Sequence, residues 1–216
     1  MNGSSTAGSA TSFRKRTYSL SSMAREARVL TRRGRTARTA WRPDRVEPLL
    51  REQMMFAVSM VNGCTFCAYV HNSSALSEGA ERAQLAELVG LDPTTTTDDR
   101  LIAVAWAQSR ASANLGPAAE WLDDELRARY SPQQVQDFDT IVRFMTLNNI
   151  AGNTAEALIR RLRGNPVESS GVAAEIVIGG GYLLGSLPTA VITALRQRHS
   201  PAAAIREFRA LDGAQR

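Results

Sequence analysis

Apolar residues recur at helical spacing over most of the chain, and few segments alternate with a period of two for more than four residues. The first well-marked stretch runs from Val46 to Val61, where Leu49, Leu50, Gln53, Met54, Ala57, Val58 and Val61 form one face. Asp44 is placed to cap its start, and Asn62-Gly63 supplies a left-handed stop at its end. A second helix is expected from Cys64 to about Ser77, with further helical patterns near residues 81–90, 98–113 and 118–129. Ser131-Pro132 has the order of a cap followed by proline in the first turn. That helix is expected to run through Val135, Phe138, Ile141, Val142 and Met145 to about Ile150, followed by a short one at 154–163. The expected fold class is all-α, a helical bundle. The similar Asn-rich stops at Asn62-Gly63 and Asn148-Asn149 hint at an internal helical repeat.

The two ends read differently from this middle. Residues 1–18 are small and polar, a composition expected to be disordered, and Leu20 to about Arg33 carries an apolar and basic helical pattern. Trp41-Arg42-Pro43-Asp44 is a turn that ends this arm. Residues 171–195 are apolar for about the length of a bilayer span. Glu175, the glycines at 179–181 and Pro188 argue instead for broken helices that pack on the core or on a subunit interface, which makes a membrane partner the lesser reading. The glycine run does not make a dinucleotide loop, because Leu184 stands where the third glycine belongs. The chain thus divides into a basic arm at 1–45, disordered at its start, a helical domain at 46–165, and C-terminal helices at 166–216.

Composition is that of an ordinary soluble globular chain, with 44% hydrophobic and 22% charged residues. The net charge of +5 conceals an asymmetry. Residues 1–51 hold twelve Arg/Lys against Glu26, Asp44 and Glu47, whereas residues 52–216 are net acidic; Lys15 is the only lysine. Such an arm can contact an anionic partner such as nucleic acid, lipid or an acidic protein, although a solvated tail is the plainer reading. There are two cysteines, three residues apart, which is not the pattern of a disulfide-stapled secreted protein. Residues 1–19 lack the apolar stretch of a secretory signal, so a cytoplasmic location is expected.

The chemistry is concentrated in Asn62-Gly63-Cys64-Thr65-Phe66-Cys67-Ala68-Tyr69-Val70-His71. At about 100° per residue, Cys64 and Cys67 lie about 60° apart around a helix, and Cys67 and His71 about 40° apart, one turn from each other. A Cys-x-x-Cys pair in the first turn closes into a disulfide with little backbone movement. The partial positive charge of a helix N-terminus favours the thiolate, and His71 can take the thiol proton. Glu52, on the preceding helix and twelve residues before Cys64, is the candidate that orients the imidazole.

The spacing of Glu52, Cys64, Cys67 and His71 resembles the signature of alkylhydroperoxidase D and its relatives in the carboxymuconolactone decarboxylase-like superfamily, over roughly residues 46–150. The resemblance implies an all-helical fold, a trimer or hexamer, and reduction of hydroperoxides without a bound cofactor. It also implies that Cys67 attacks, Cys64 resolves, and Glu52 and His71 relay protons. The helix dipole alone would favour Cys64, the sulfur nearer the helix start. An external dithiol protein, lipoylated in some relatives, would restore the pair. Some relatives carry a histidine immediately before the second cysteine where this chain has Phe66, which bears on peroxidase strength.

Other readings of these residues stay open. The cysteines could be buried small hydrophobes, or zinc ligands together with His71 and Glu52. The pair could also exchange disulfides with proteins without touching peroxide, or the chain could be a non-enzymatic helical oligomer. Met54, Met55, Phe56 and Met60 are core residues that flank the site and could line it, and His199 is expected at the surface. Asn72-Ser73-Ser74 fits a glycosylation pattern but falls inside a helix.

Overall fold

The computed structural model describes residues 13–92, 94, 98–197 and 201–215, without the side chains of 194–197, 201–205 and 208. Its regular elements are all helical among the described residues. In chain order they are α1 (Leu20–Arg32), α2 (Gly34–Thr39), α3 (Pro48–Asn62), α4 (Thr65–Ser77), α5 (Arg82–Val89), α6 (Asp99–Ser112), α7 (Glu120–Arg129), α8 (Pro132–Leu162), α9 (Val172–Ala174), α10 (Gly180–Gln197) and α11 (Pro201–Ala214). A π-helical segment, Glu175–Gly179, joins α9 to α10.

Helix α3 is the centre of the bundle and packs against α4, α6 and α8. Its Met54, Phe56 and Val58 are almost completely buried with Val104 of α6, Leu126 of α7, and Phe138, Ile141 and Val142 of α8. Ala103, Ala105, Ala107 and Ala111 give α6 a shallow surface, so neighbouring backbones approach closely. Removing this apolar area from water is the main force holding the elements together.

Several local expectations are corrected by long-range contacts. Asp44 does not cap α3: it pairs with Arg42, while Glu47 holds the N-cap position without a side-chain cap and Pro48 opens the helix. The segments expected at 131–150 and 154–163 are one helix of 31 residues, α8, which ends the case for an internal repeat. Asn149 does not stop it, because its side chain is spent on packing. Its Oδ1 accepts from Ser59 at 3.1 Å, and Asn153 one turn on donates to the Asn62 carbonyl at 2.9 Å.

The arm is also less free than its composition suggests. Residues 13–18, expected to be disordered, lie against the bundle, with Tyr18 buried beside Ile150, Ala151, Ala174 and Ile178. Its backbone amide donates to Thr154 at 3.0 Å. Lys15 pairs with Glu156 at 2.8 Å, Arg33 with Asp139 at 2.5 Å and Arg45 with the fully buried Asp137 at 2.6 Å. Part of the basic excess is therefore matched by carboxylates of α8.

The C-terminal segment expected to break runs on as helix from α9 to α10. The π-helical turn absorbs the Gly179–Gly180 region, and Pro188 lies inside α10 on an exposed stretch, where water can serve the carbonyl that loses its donor. By length and composition Val172–Thr193 would suffice to cross a membrane, and about 17% of it is buried. His199 lies outside the described residues.

Candidate functional site

The site begins where α3 ends. Gly63 adopts φ +74°, the left-handed conformation that ends a helix at low cost when no Cβ is present. The Asn153 bond to the Asn62 carbonyl holds this end against α8. Cys64 comes next as the N-cap of α4, and its sulfur accepts from the Cys67 amide at 3.4 Å. Cys67 thus sits in the first turn, where unpaired amides leave partial positive charge.

Cys64 and Cys67 are joined by a disulfide with a Cα–Cα distance of 5.3 Å. Both are nearly buried, at 3% and 4% exposure, but not in the same way. Cys67 lies on the wall of a cavity of about 420 Å³, whose lining does not include Cys64. A methyl group on Gly152 of α8 would come within 2.7 Å of the Cys64 sulfur, so α8 covers that sulfur with bare backbone.

His71, one turn beyond Cys67, also lines the cavity. Its Nδ1 lies 2.8 Å from Oε2 of Glu52, so the two helices meeting at Gly63 bring imidazole and carboxylate together. With the carboxylate as acceptor, Nδ1 carries the hydrogen, which in a neutral ring leaves the lone pair on Nε2. Arg51 stands 3.8 Å from the other Glu52 oxygen and donates to the Trp41 carbonyl at 3.0 Å. The hydrogen bond ties His71 to Glu52, the disulfide ties Cys67 to Cys64, and Cys67 and His71 line the same cavity. Among the described residues no three His, Cys, Asp or Glu side chains are grouped to hold a metal ion.

The far wall was not foreseen. Phe144, Met145 and Asn148 of α8 and Tyr182, Gly185, Ser186 and Thr189 of α10 close the cavity. The Tyr182 hydroxyl lies 3.1 Å from the Cys67 sulfur, and its ring meets Phe66 edge to face at 6.3 Å. Burial pushes this phenol up to about 12, so it keeps its proton across the neutral range. Met54, Met55 and Phe56, which could have lined the site, are core residues, and Met60 packs against that core. Nothing local pointed to Tyr182, which stands 115 positions after Cys67.

Two contacts set the tyrosine in place. The π-helical turn adds a residue and rotates α10 by about 100° relative to an uninterrupted helix. Gly179 in that turn packs so closely on α8 that a Cβ would meet Thr154 and Ala155 backbone atoms at 2.9 Å. Just before it, fully buried Glu175 receives Arg161 of α8 at 2.5 and 3.0 Å. The hydrogen bonds from Arg161 hold the Glu175 carboxyl below its ordinary value.

Residues 27–120 match the sequence model of the carboxymuconolactone decarboxylase family, a span that contains Glu52, Cys64, Cys67 and His71 and excludes Tyr182. No curated protein and no solved structure matches the chain.

Proposed function

With residues 27–120 a segment of the carboxymuconolactone decarboxylase family, we propose that the protein is a thiol-dependent peroxidase that reduces hydroperoxides through Cys67 and Cys64. The observation that carries this reading is the Glu52–His71 pair at 2.8 Å beside a disulfide of which Cys67 alone faces the cavity. The family takes its name from a decarboxylase. A dithiol that closes into a disulfide beside a histidine-carboxylate pair suits two-electron thiol chemistry instead.

In the reduced protein His71 takes the Cys67 proton through Nε2, with Glu52 holding the ring. The thiolate attacks the terminal peroxide oxygen, the O–O bond breaks, and the alkoxide leaves with the proton from His71 as an alcohol. Cys67 is left as a sulfenic acid. The Cys64 thiol attacks that sulfur, water departs, and the disulfide forms. An external dithiol, such as a lipoylated protein, then gives up two electrons and two protons and restores the pair. No bound cofactor takes part. The cycle belongs in a compartment where dithiols are kept reduced, the cytoplasm.

The same reading includes a homo-oligomer. Val177, Leu184, Leu187 and Val191 leave an apolar face exposed on the π-helical turn and α10, which suits burial against another copy. Sedimentation of the purified protein should give a multiple of the 23.5 kDa chain, and a monomer at micromolar concentration would remove this part of the reading.

Stopped-flow mixing of reduced protein with an organic hydroperoxide tests the activity. Wild type should consume peroxide with loss of two thiols, Cys67→Ser should fall to background, and Cys64→Ser should stop at a sulfenic acid trappable with dimedone. If wild type leaves peroxide untouched yet exchanges with dihydrolipoamide, protein thiol-disulfide exchange replaces the peroxidase reading. A protein inert to both reagents would leave only a helical scaffold.

A further inference from the structure

The Tyr182 hydroxyl lies 3.1 Å from the Cys67 sulfur, in a position that neither the motif nor the family match reaches. We propose that Tyr182 is a catalytic residue, a hydrogen-bond donor from α10 that stabilises the Cys67 thiolate each time that sulfur carries negative charge. The proposal rests on the reading of Cys67 as the sulfur that meets substrate.

The donor role is set by the surroundings. The disulfide sulfur has no hydrogen to give and a thiolate can only accept, while the phenol is held protonated well above neutrality by its burial. In the disulfide the sulfur is a weak acceptor. Once the pair is reduced, the same contact becomes a charge-assisted hydrogen bond to a nearly buried cysteine.

Few other groups compete for this influence. From its own helix His71 lines the same cavity as Cys67, with Glu52 of α3 bonded to it, and the disulfide partner is Cys64. The α8 part of the cavity is Phe144, Met145 and Asn148, none of them charged. From α10 the other lining residues are Gly185, Ser186 and Thr189, so Tyr182 is the titratable group that α10 contributes to the lining. Phe66 supports its ring and offers no polar atom to the sulfur.

The contribution falls at two points of the cycle. When the peroxide O–O bond is broken, the phenol has already raised the fraction of Cys67 present as thiolate. When the external dithiol restores the pair, its first thiolate bonds to Cys67 from the cavity and Cys64 leaves as a thiolate. The second thiol of the reductant attacks the first, and Cys67 leaves as a thiolate onto the waiting hydroxyl. The reductant ends as a disulfide. Tyr182 gains and loses no proton in either event.

The test is the pH dependence of Cys67 alkylation by iodoacetamide in the Cys64→Ser full-length chain, with and without Tyr182→Phe. Tyr182→Phe keeps the ring and removes one oxygen, and the midpoint should rise by about one pH unit. Above both midpoints the variant should react at least as fast, because a less stabilised thiolate is the better nucleophile, which a general loosening of the site would not produce. Should Tyr182→Phe not fold, Tyr182→3-fluorotyrosine preserves the shape with a stronger donor and should move the midpoint down. An unchanged midpoint in a folded variant overturns the proposal. Since alkylation involves no peroxide, a wild type inert to peroxide with a tyrosine-dependent midpoint would sink the peroxidase reading and spare this one.

Discussion

The two walls of the cavity around Cys67 are built on different principles. The wall formed by α4, with Glu52 of α3 bonded to His71, comes from one short stretch, Glu52 to His71, folded back on itself at Gly63. Its functional atoms are held by local geometry: helix pitch, a left-handed glycine and an N-cap. The wall formed by α8 and α10 is assembled from residues between Phe144 and Thr189, and its position depends on the Arg161–Glu175 pair and the close seating of Gly179. One wall gathers Cys67 and the histidine-carboxylate pair from a single stretch; the other brings Tyr182 and its neighbours from far along the chain. Chemistry that needs a proton relay can be written into about twenty residues, whereas shielding and solvation require distant parts of the chain.

Perturbing the second wall at its anchor should have the largest effect. Glu175→Gln leaves Arg161 without its carboxylate and should lower the urea midpoint at neutral pH more than any other substitution named here. The pH dependence has a definite sign. Because the folded Glu175 carboxyl is held below its ordinary value, its stabilisation is present above the ordinary carboxylate range and is lost as pH falls through and below it. Melting temperatures measured from pH 7 down to pH 3 should therefore fall less steeply in Glu175→Gln than in wild type. An equally steep fall would mean that this anchor contributes little to holding α10.

Breaking the first wall should leave the fold and change the rate. Glu52→Gln keeps the size of the side chain but weakens its hold on Nδ1, and peroxide consumption should drop about thirtyfold with little change in melting temperature. Unaltered turnover would remove Glu52 from the relay. The smallest effect is expected where the walls touch. Gly152→Ala sets a methyl 2.7 Å from the Cys64 sulfur and 3.2 Å from the Tyr182 ring, an overpacking that should cost about 1 to 2 kcal/mol in denaturant unfolding. That loss should be larger in the oxidised than in the reduced protein, because a free thiol can rotate away and a disulfide sulfur cannot. Equal losses in both states would mean that α8 does not press on the closed disulfide.

A cluster of one carboxylate and three guanidinium groups shows the same dependence on distance. Asp139 of α8 receives Arg33 from the arm, Arg110 from α6 and Arg143 from its own helix. Burial alone would raise its carboxyl, but the guanidinium hydrogen bonds and charges outweigh that and hold it below the ordinary value. None of these arginines could be matched to Asp139 by spacing, apart from Arg143 one turn along the same helix.

Amphipathic periodicity by itself determined the all-helical class and located α1 and α3 to α7 closely, because burying one face of a helix requires apolar residues every three or four positions. Spacing likewise determined that Cys67 and His71 share a face and that Gly63 turns the chain, since both are consequences of backbone geometry within a few residues; that Cys64 lies instead under α8 was decided by tertiary packing. Tertiary structure alone decided that the helix continues through Asn148-Asn149 instead of ending there, with the Asn149 side chain held by Ser59 and that of Asn153 by the Asn62 carbonyl. It also decided that residues 13–18 pack against the bundle and that Tyr182 reaches Cys67. Those outcomes depend on which distant surfaces meet, and periodicity carries no information about contacts across more than a hundred residues.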